Sequence, residues 1–354
     1  VFSITILTHF PTASIRCLEH SNRCKLLSLA AFLTIREAAI FLCNKIIVYC
    51  ALNQKKNING MEKKRYVVGL GELLWDLLPS GKRLGGAPAN FAYHVSQFGL
   101  KGLAISAVGQ DALGEETIQE LERKQLLAYI ERVEYPTGRV NVQLDEAGIP
   151  LYDIQQDVAW DNIPFTEKLR EIAENTQAVC FGSLAQRSPQ SRVAIQAFLA
   201  SLPADDDVLR IYDINLRTPF YSKEVVDLSL SAANVLKVND EELPILANYY
   251  NLPQISPLEQ CELLRQRFNL RLVIYTCGAN GSYVISEEGV SSQPTPKVSV
   301  VDTVGAGDSF TASFCAALIN GSPISEAHAI AVKVSAFVCT QQGAMPILPR
   351  DLLS

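Results

Sequence analysis

The chain has no excess of basic charge. Its 354 residues carry 31 Lys and Arg against 37 Asp and Glu, a net −6. Binding nucleic acid through its phosphates needs a basic face, so no nucleic-acid partner is expected. Cysteine is sparse, nine residues without a framework spacing, which excludes a disulfide-stapled scaffold. No His/Cys spacing suits zinc. A membrane span needs about 20 uninterrupted apolar residues. Leu26–Ile35 stops short of that at Arg36-Glu37, so no stable membrane association is expected. Internal repeats and low-complexity linkers are missing as well. What remains is apolar: 48% hydrophobic against 19% charged residues, enough for a sizeable core and too much for disorder. The length allows about two domains or one large α/β unit.

Charge is unevenly spread. Residues 1–60 hold seven basic side chains (Arg16, Arg23, Lys25, Arg36, Lys45, Lys55, Lys56) and two acidic ones (Glu19, Glu37), a net +5 that leaves −11 for the rest. Three readings of this stretch compete: an anchor or signal segment, an extra docked amphipathic helix, or upstream translation that is no part of the fold. The first residue is Val1 and the first methionine is Met61, directly ahead of a strand-like run, so the third reading is the expectation. Residues 61–354 are then the expected folded domain.

From Met61 onward short apolar strands alternate with amphipathic helices. Strands are expected at Tyr66–Gly71, Leu103–Val108, Ala178–Phe181, Leu209–Asp213, Val235–Val238, Leu272–Thr276 and Ser282–Ser286. Helices are expected at Pro88–Phe98, Glu115–Gln125, Ser191–Ser201, Glu241–Tyr250, Pro257–Phe268, Ser309–Asn320 and Ile324–Thr340. This rhythm predicts parallel βαβ units and an α/β, doubly wound, mostly parallel sheet flanked by helices. Two stretches break it, Leu73–Leu84 and Gly138–Gln155. Both read as extended segments with turns, the second as a hairpin, and together they suggest a small β-sheet lid.

The most informative segment is Asp302-Thr303-Val304-Gly305-Ala306-Gly307-Asp308. Two glycines just ahead of an apolar helix leave backbone N–H groups free to meet an anion, helped by the helix dipole. A carboxylate at that mouth is awkward unless it handles a proton beside a phosphate. The plainer alternative is a glycine turn with Asp308 as a helix cap.

Asp302–Asp308 resembles the C-terminal signature of the ribokinase/PfkB carbohydrate-kinase family. Gly85-Gly86-Ala87-Pro88-Ala89-Asn90 resembles its N-terminal one, in the family's order. Gly109-Gln110-Asp111 with Gly114, Asn239-Asp240-Glu241-Glu242, and Thr276-Cys277-Gly278 with Gly281 add lesser matches. The resemblance covers residues 61–354 and implies a ribokinase-like fold, with these roles carried over residue by residue. Asp308 would be the general base, Gly305, Ala306 and Gly307 the anion hole, and Arg217 a cation that neutralises phosphate charge. Asp76, Gly85, Gly86 and Asn90 would hold the sugar. Thr276, Gly278 and Gly281 would face the nucleotide, with Lys237 reaching its phosphates. Asn239 and Glu242 would organise Mg²⁺ through its waters. A K⁺-like ion on backbone carbonyls of Asp302–Val304 and Ala336–Gly343 is a further family expectation.

The implied activity is ATP-dependent phosphorylation of a small sugar hydroxyl. Gly71–Pro79, the Gly-Gly-Ala-Pro-Ala-Asn signature and Ala159-Trp160-Asp161 resemble fructokinase-type members, which makes fructose the expected substrate. 2-Keto-3-deoxygluconate and ribose come next, with a nucleoside less favoured. A catalytically silent sugar or nucleotide sensor on the same fold is the alternative of another class. A dinucleotide oxidoreductase is disfavoured, because Gly69-Leu70-Gly71 lacks the third glycine and the helix that should come after it. Cys180, Cys261, Cys277, Cys315 and Cys339 mostly fall in apolar strands or helices, as reduced thiols of a cytoplasmic protein would, and the resemblance allows a homodimer formed through the lids. His94 and His328, inside expected helices, read as packing or surface residues.

Overall fold

A computed structural model describes residues 65–78, 81–144, 150–205 and 207–353. The expectation for residues 1–60 and the proposed hairpin turn at 145–149 lie outside the described residues.

The chain enters through strand β1 (Tyr66–Leu70), then forms the hairpin β2 (Leu74–Leu78) and β3 (Gly81–Gly85). Helix α1 (Ala87–Gln97), β4 (Lys101–Gly109), α2 (Ala112–Arg123) and β5 (Leu127–Val133) come next. A second pair, β6 (Gly138–Leu144) and β7 (Pro150–Ile154), precedes α3 (Glu167–Glu174), β8 (Thr176–Phe181), α4 (Pro189–Ala200), β9 (Leu209–Asp213) and α5 (Lys223–Ala232). Then come β10 (Val235–Asn239), α6 (Leu243–Tyr250), α7 (Pro257–Arg267), β11 (Leu272–Thr276), β12 (Ser282–Ser286) and β13 (Gly289–Gln293). Two long helices close the order, α8 (Ala306–Ile319) and α9 (Ile324–Cys339).

Nine strands form one sheet in the order β13-β12-β11-β10-β9-β8-β1-β4-β5, parallel from β11 to β5. The strands β12 and β13 extend it antiparallel. Successive strand residues face opposite sides, and the core divides accordingly. Val67, Val235, Leu272 and Ile274 pack with Phe91, Phe310 and Phe314 under α1 and α8. Val68, Leu236, Val238 and Val273 pack with Phe198, Leu230, Leu246 and Leu264 under α4 to α7. The strand order reverses at β1, where the chain runs outward to β5 and then returns to β8. Such a switch point opens a crevice at the carboxyl ends of the strands. Gly69 serves helix packing there: a Cβ on it would fall 1.9 Å from Pro88 O, so α1 lies directly on β1.

The two rhythm-breaking segments join as a separate four-stranded sheet, β3-β2-β6-β7. Its β2–β3 register sets Asp76 opposite Arg83 and Trp75 opposite Leu84. Trp75 is buried and donates from Nε1 to Thr117 Oγ1 (2.9 Å), which ties β2 to α2. Beneath β6, Trp160 is buried against the guanidinium of Arg187, and Arg187 pairs with buried Asp161 at 2.8 Å. The Ala159-Trp160-Asp161 segment thus supports the small sheet from below.

Helix α8 starts earlier than expected. It begins at Ala306, so Gly307 and Asp308 lie in its first turn and not ahead of it. Gly305 takes the left-handed conformation (φ 79°) at the N-cap, and no side chain caps the helix. The plain capping role for Asp308 is therefore not the one it plays. Gly307 is tolerated because Phe310 and Phe314 pack the helix into the core, against which a single glycine costs only about 1 kcal/mol. Strands β5 and β13 and helices α3 and α5 are additions to the expected set. Strand β5 is an edge strand without a fully buried residue, so its Leu127–Val133 sequence lacks a core face. Helix α3 is an eight-residue charged helix that buries only Leu169, Ile172 and Ala173.

Candidate active site

The crevice at the switch point gathers Glu72, just after β1, Asp213 at the end of β9, and Asp308 in α8. Asn90 is buried in α1 and donates from Nδ2 to Asp308 Oδ2 at 2.7 Å. Lys237, buried in β10, sets Nζ 3.1 Å from Asp213 Oδ1. The same Nζ would lie 3.2 Å from a Cβ on Gly307, so the ammonium sits against the bare side of the α8 first turn. First-turn N–H groups have no carbonyl behind them and turn outward. A buried ammonium beside those donors makes this corner attractive to a phosphate. Among the described residues, the buried acceptors Glu72 Oε2 and Asn90 Oδ1 meet no hydrogen-bond donor. An acceptor-rich crevice suits a ligand that brings hydroxyl donors.

Burial raises the proton affinity of two of these groups, Asp308 and Glu72. Asp308 is pushed up to about 6, by burial first and by the negative Asp213 next. The Asn90 hydrogen bond, Lys237 and Arg217 pull the other way. Glu72 is pushed up to about 7 by burial, with Asp308 adding to the effect. Burial pulls Lys237 down, but Asp213, Glu242 and Asp308 outweigh it and hold the ammonium above its ordinary range. Each group depends on its neighbours, so the cluster titrates as a set.

Gly305 is clamped from behind. A Cβ there would approach Ala344 Cβ to 2.6 Å, and φ of 79° already disfavours any other residue. Ala344 is held in turn by His94 of α1, whose Nε2 bonds Ala344 O at 2.8 Å. Burial drops the His94 pKa to about 4, so the ring is neutral and donates there. His328 is also buried and neutral, between Ser282 and Ser291. Both histidines are packing residues.

On the small sheet, Asp76 leans over Gly85, where a Cβ would fall 2.7 Å from its Oδ2. Burial pushes Asp76 up to about 6, Arg83 opposes this and Asp302 adds to it. Gly86 caps α1 (φ 121°) and packs on the Glu72 carbonyl. Arg217 is exposed and donates to its own neighbour's carbonyl, Leu216 O. Its charge acts on both Glu72 and Asp308, lowering the proton affinity of each.

The remaining expected residues line the carboxyl ends of β10 and β11. Asn239 pairs in register with Thr276, and Asp240 N bonds Thr276 O. Gly278 and Gly281 shape the tight link into β12, closed by Cys277 N to Gly281 O at 2.9 Å. Glu242 accepts from Leu216 N and Asn239 N, both at 2.9 Å. Asn239 Oδ1 accepts from the amides of Glu241 and Glu242. These oxygens already shape the turn, so the pair fits the water shell of a Mg²⁺ ion and not direct chelation. Among the described residues no trio of His, Cys, Asp or Glu is grouped to hold a metal. Beside the backbone carbonyls expected to meet a K⁺-like ion, the Asp302 side chain is engaged. Asp302 Oδ2 accepts from Arg83 Nη1 at 3.0 Å and from Gly343 N at 3.1 Å.

Glu72, Asp213 and Arg83 were not anticipated from sequence. The signals were present but faint: a Glu two residues after β1, an Asp ending an apolar strand, and an Arg two residues ahead of the glycine signature.

A nine-stranded, mostly parallel sheet with a small second sheet and a carboxylate at a helix N-terminal turn defines a ribokinase-like α/β kinase architecture. The sequence profile of the pfkB family of carbohydrate kinases matches residues 80–351, and the chain belongs to that family. A fructokinase of Salmonella typhimurium is 29% identical over 305 residues, spanning 80% of this chain and 96% of the relative. An ATP-dependent 6-phosphofructokinase of Thermoanaerobacterium thermosaccharolyticum is 26% identical over 306 residues, 81% and 92% of the two chains. An uncharacterized sugar kinase of Pyrococcus horikoshii superposes with a TM-score of 0.69 at 28% identity, covering 82% of this chain and all of that one. A Vibrio cholerae fructokinase double mutant, crystallised with fructose, ADP and potassium ion, gives 0.67 at 25% identity over 82% and 97%. The protein is a carbohydrate kinase with fructokinases among its relatives. Among the described residues no helix is long and apolar enough to cross a membrane.

Proposed function

We propose that this kinase transfers the γ-phosphoryl group of ATP to a hydroxyl of a neutral ketose, with fructose the preferred acceptor. The observation that carries the reading is the fixed Asn90–Asp308 pair, 2.7 Å apart, beside the α8 first turn and Lys237. Asn90 occupies Asp308 Oδ2 and leaves Oδ1 for the sugar hydroxyl. As that hydroxyl oxygen attacks the γ-phosphorus in line, its proton passes to Asp308 and the bond from phosphorus to the β,γ-bridging oxygen breaks, releasing ADP. The Gly305–Gly307 turn and Lys237 face the charge on the transferring group. Arg217, whose charge acts on Asp308, would meet the phosphates. Thr276, Gly278 and Gly281 border the nucleotide. A Mg²⁺ ion, when bound with the nucleotide near Asn239 and Glu242, supplies charge neutralisation on the phosphates.

A neutral sugar is favoured over a sugar phosphate because the basic side chains beside Asp76 are committed elsewhere. Lys82 pairs with Glu116 and Arg83 with Asp302. Asp76 and the glycines it overhangs are then left to sugar hydroxyls. A coupled ADP-release assay with fructose, ribose, 2-keto-3-deoxygluconate and fructose 6-phosphate tests the reading. Fructose should give the highest kcat/KM. Absence of ADP release with every sugar defeats the kinase reading and favours a silent sensor, whereas preference for fructose 6-phosphate defeats only the neutral-sugar part.

A further inference from the structure

Among the described residues, five other than glycine take a positive φ: Gln125, Asp157, Asn215, Asn251 and Asn269. Gln125, Asn251 and Asn269 follow the ends of α2, α6 and α7, where a left-handed residue is a common close. Asp157 lies in a bend. Asn215 is different. It stands two residues beyond β9, at φ 40°, and lines the crevice with Glu72, Asp213, Asp308 and Thr311. Strained backbone collects at functional sites where the surroundings over-determine it. They do so here. Ile214 N donates to Lys237 O at 3.1 Å, and Ile214 O accepts from Ser183 Oγ at 2.7 Å. On the other side Leu216 N donates to Glu242 Oε1 at 2.9 Å. The backbone is thus pinned on both sides of Asn215, and none of these bonds uses its side chain.

The crevice lacks what that side chain carries. A phosphoryl group brings negative charge and acceptor oxygens, whereas Glu72, Asp213 and Asp308 supply carboxyl groups. Thr311 spends its hydroxyl on Gly307 O at 3.0 Å. Of the residues lining the crevice, Asn215 is the one whose side chain holds nitrogen, with two N–H donors. An amide also meets phosphoryl oxygens without adding a cation beside Asp308, which would weaken it as a base. We propose that Asn215 is a catalytic residue, which donates from Nδ2 to an oxygen of the transferring phosphoryl group and so joins the Gly305–Gly307 turn and Lys237. The inference rests on the kinase reading and adds a donor to it.

The test is steady-state ADP release by the full chain with ATP and the preferred sugar of the panel above. Asn215→Gly keeps the left-handed turn and removes the amide. Its kcat should fall by about 10²-fold, the scale of one lost transition-state donor, with KM for sugar and for ATP within about threefold of wild type. Asn215→Asp keeps the size and tolerates the turn but offers an acceptor, and should fall at least as far. A kcat near wild type in either variant overturns the proposal. Impairment confined to Asn215→Ala does so as well, because the residue then serves only its turn. A raised sugar KM at unchanged kcat also overturns it, by moving the amide to a sugar hydroxyl. A wild type that releases no ADP with any sugar overturns the kinase reading itself.

Discussion

The two carboxylates proposed to face the sugar, Asp308 and Asp76, share a proton affinity near 6 but are held in different ways. Asp308 stands at the carboxyl edge of the large sheet, with Asn90 on one oxygen and the Lys237–Asp213 pair behind it. Asp76 rides a two-stranded hairpin and faces Arg83, which is part-exposed. A buried cation has no solvent to replace its partner, so the large-sheet network is fixed. A part-exposed cation can change partners at little cost, so the small-sheet network can respond to a ligand. The difference separates a chemical side from an adjustable side of one site.

The contrast is broken most severely at Asp308. Replacing it with Asn should lower kcat by about 10²- to 10⁴-fold, the scale of a lost general base, with sugar affinity by calorimetry retained. Near-normal turnover would end its assignment as the base. The second cut is at Lys237. Its replacement by Met leaves Asp213 buried without its cation, and urea denaturation should register a loss of about 3–5 kcal/mol. Arg83→Gln should lose under about 1 kcal/mol in the same experiment. Equal losses would erase the distinction between the two networks. Third, Asp76→Asn removes a charged acceptor and should raise KM for the sugar by about tenfold, with kcat changed far less. A fall confined to kcat would move Asp76 to the chemical side.

The mildest test is pH. The base must be ionised to accept a proton, so kcat/KM should fall as pH drops below about 6, by about tenfold per unit. The apparent value belongs to Asp308 together with Glu72, whose charges act on each other. Stability should run the other way. Glu72, Asp76 and Asp308 hold protons more tightly folded than unfolded. Between the ordinary carboxylate range and about 7 the folded state therefore binds more protons, and these groups' contribution to stability declines as pH rises through that window. Thermal melting of wild type and Asp76→Asn at pH 5 and pH 8 checks this sign: the variant should show the smaller difference.

Much of the architecture is legible in the sequence because buried strands announce themselves. Leu209–Asp213, Leu272–Thr276 and Ser282–Ser286 are apolar enough for their ends to be read to the residue. Strand β5 is hidden because an edge strand has little apolar face to display. Helix α8 reads three residues short because glycines ordinarily break helices, whereas its first turn accommodates Gly307. Asp308, Asn90 and Gly305 stand out because their spacing is local and repeated in a known family. Glu72, Asp213 and Arg83 cannot stand out in that way. Glu72 matters through a crevice assembled from several elements, and Arg83 through a partner more than 200 residues away. Lys237 is visible as a basic residue near the Asn239 turn, but only the folded chain sets its ammonium against Gly307.

The Ala344 clamp on Gly305 bears on how the enzyme comes into being. Ala344 lies 250 residues beyond its anchor His94, which belongs to the first helix described. Gln97 of the same helix takes up Leu348 N at 2.8 Å. During synthesis the α1 segment leaves the ribosome long before either partner does. A nascent chain halted ahead of Ala344 would hold its first helix and most of its large sheet, yet nothing would back the turn at Gly305. The ability to transfer phosphate would therefore arrive late and abruptly, with the emergence of a few residues that touch no substrate. A fusion joined directly after Leu348 would load the same clamp, and such a product should fold its sheet while working poorly.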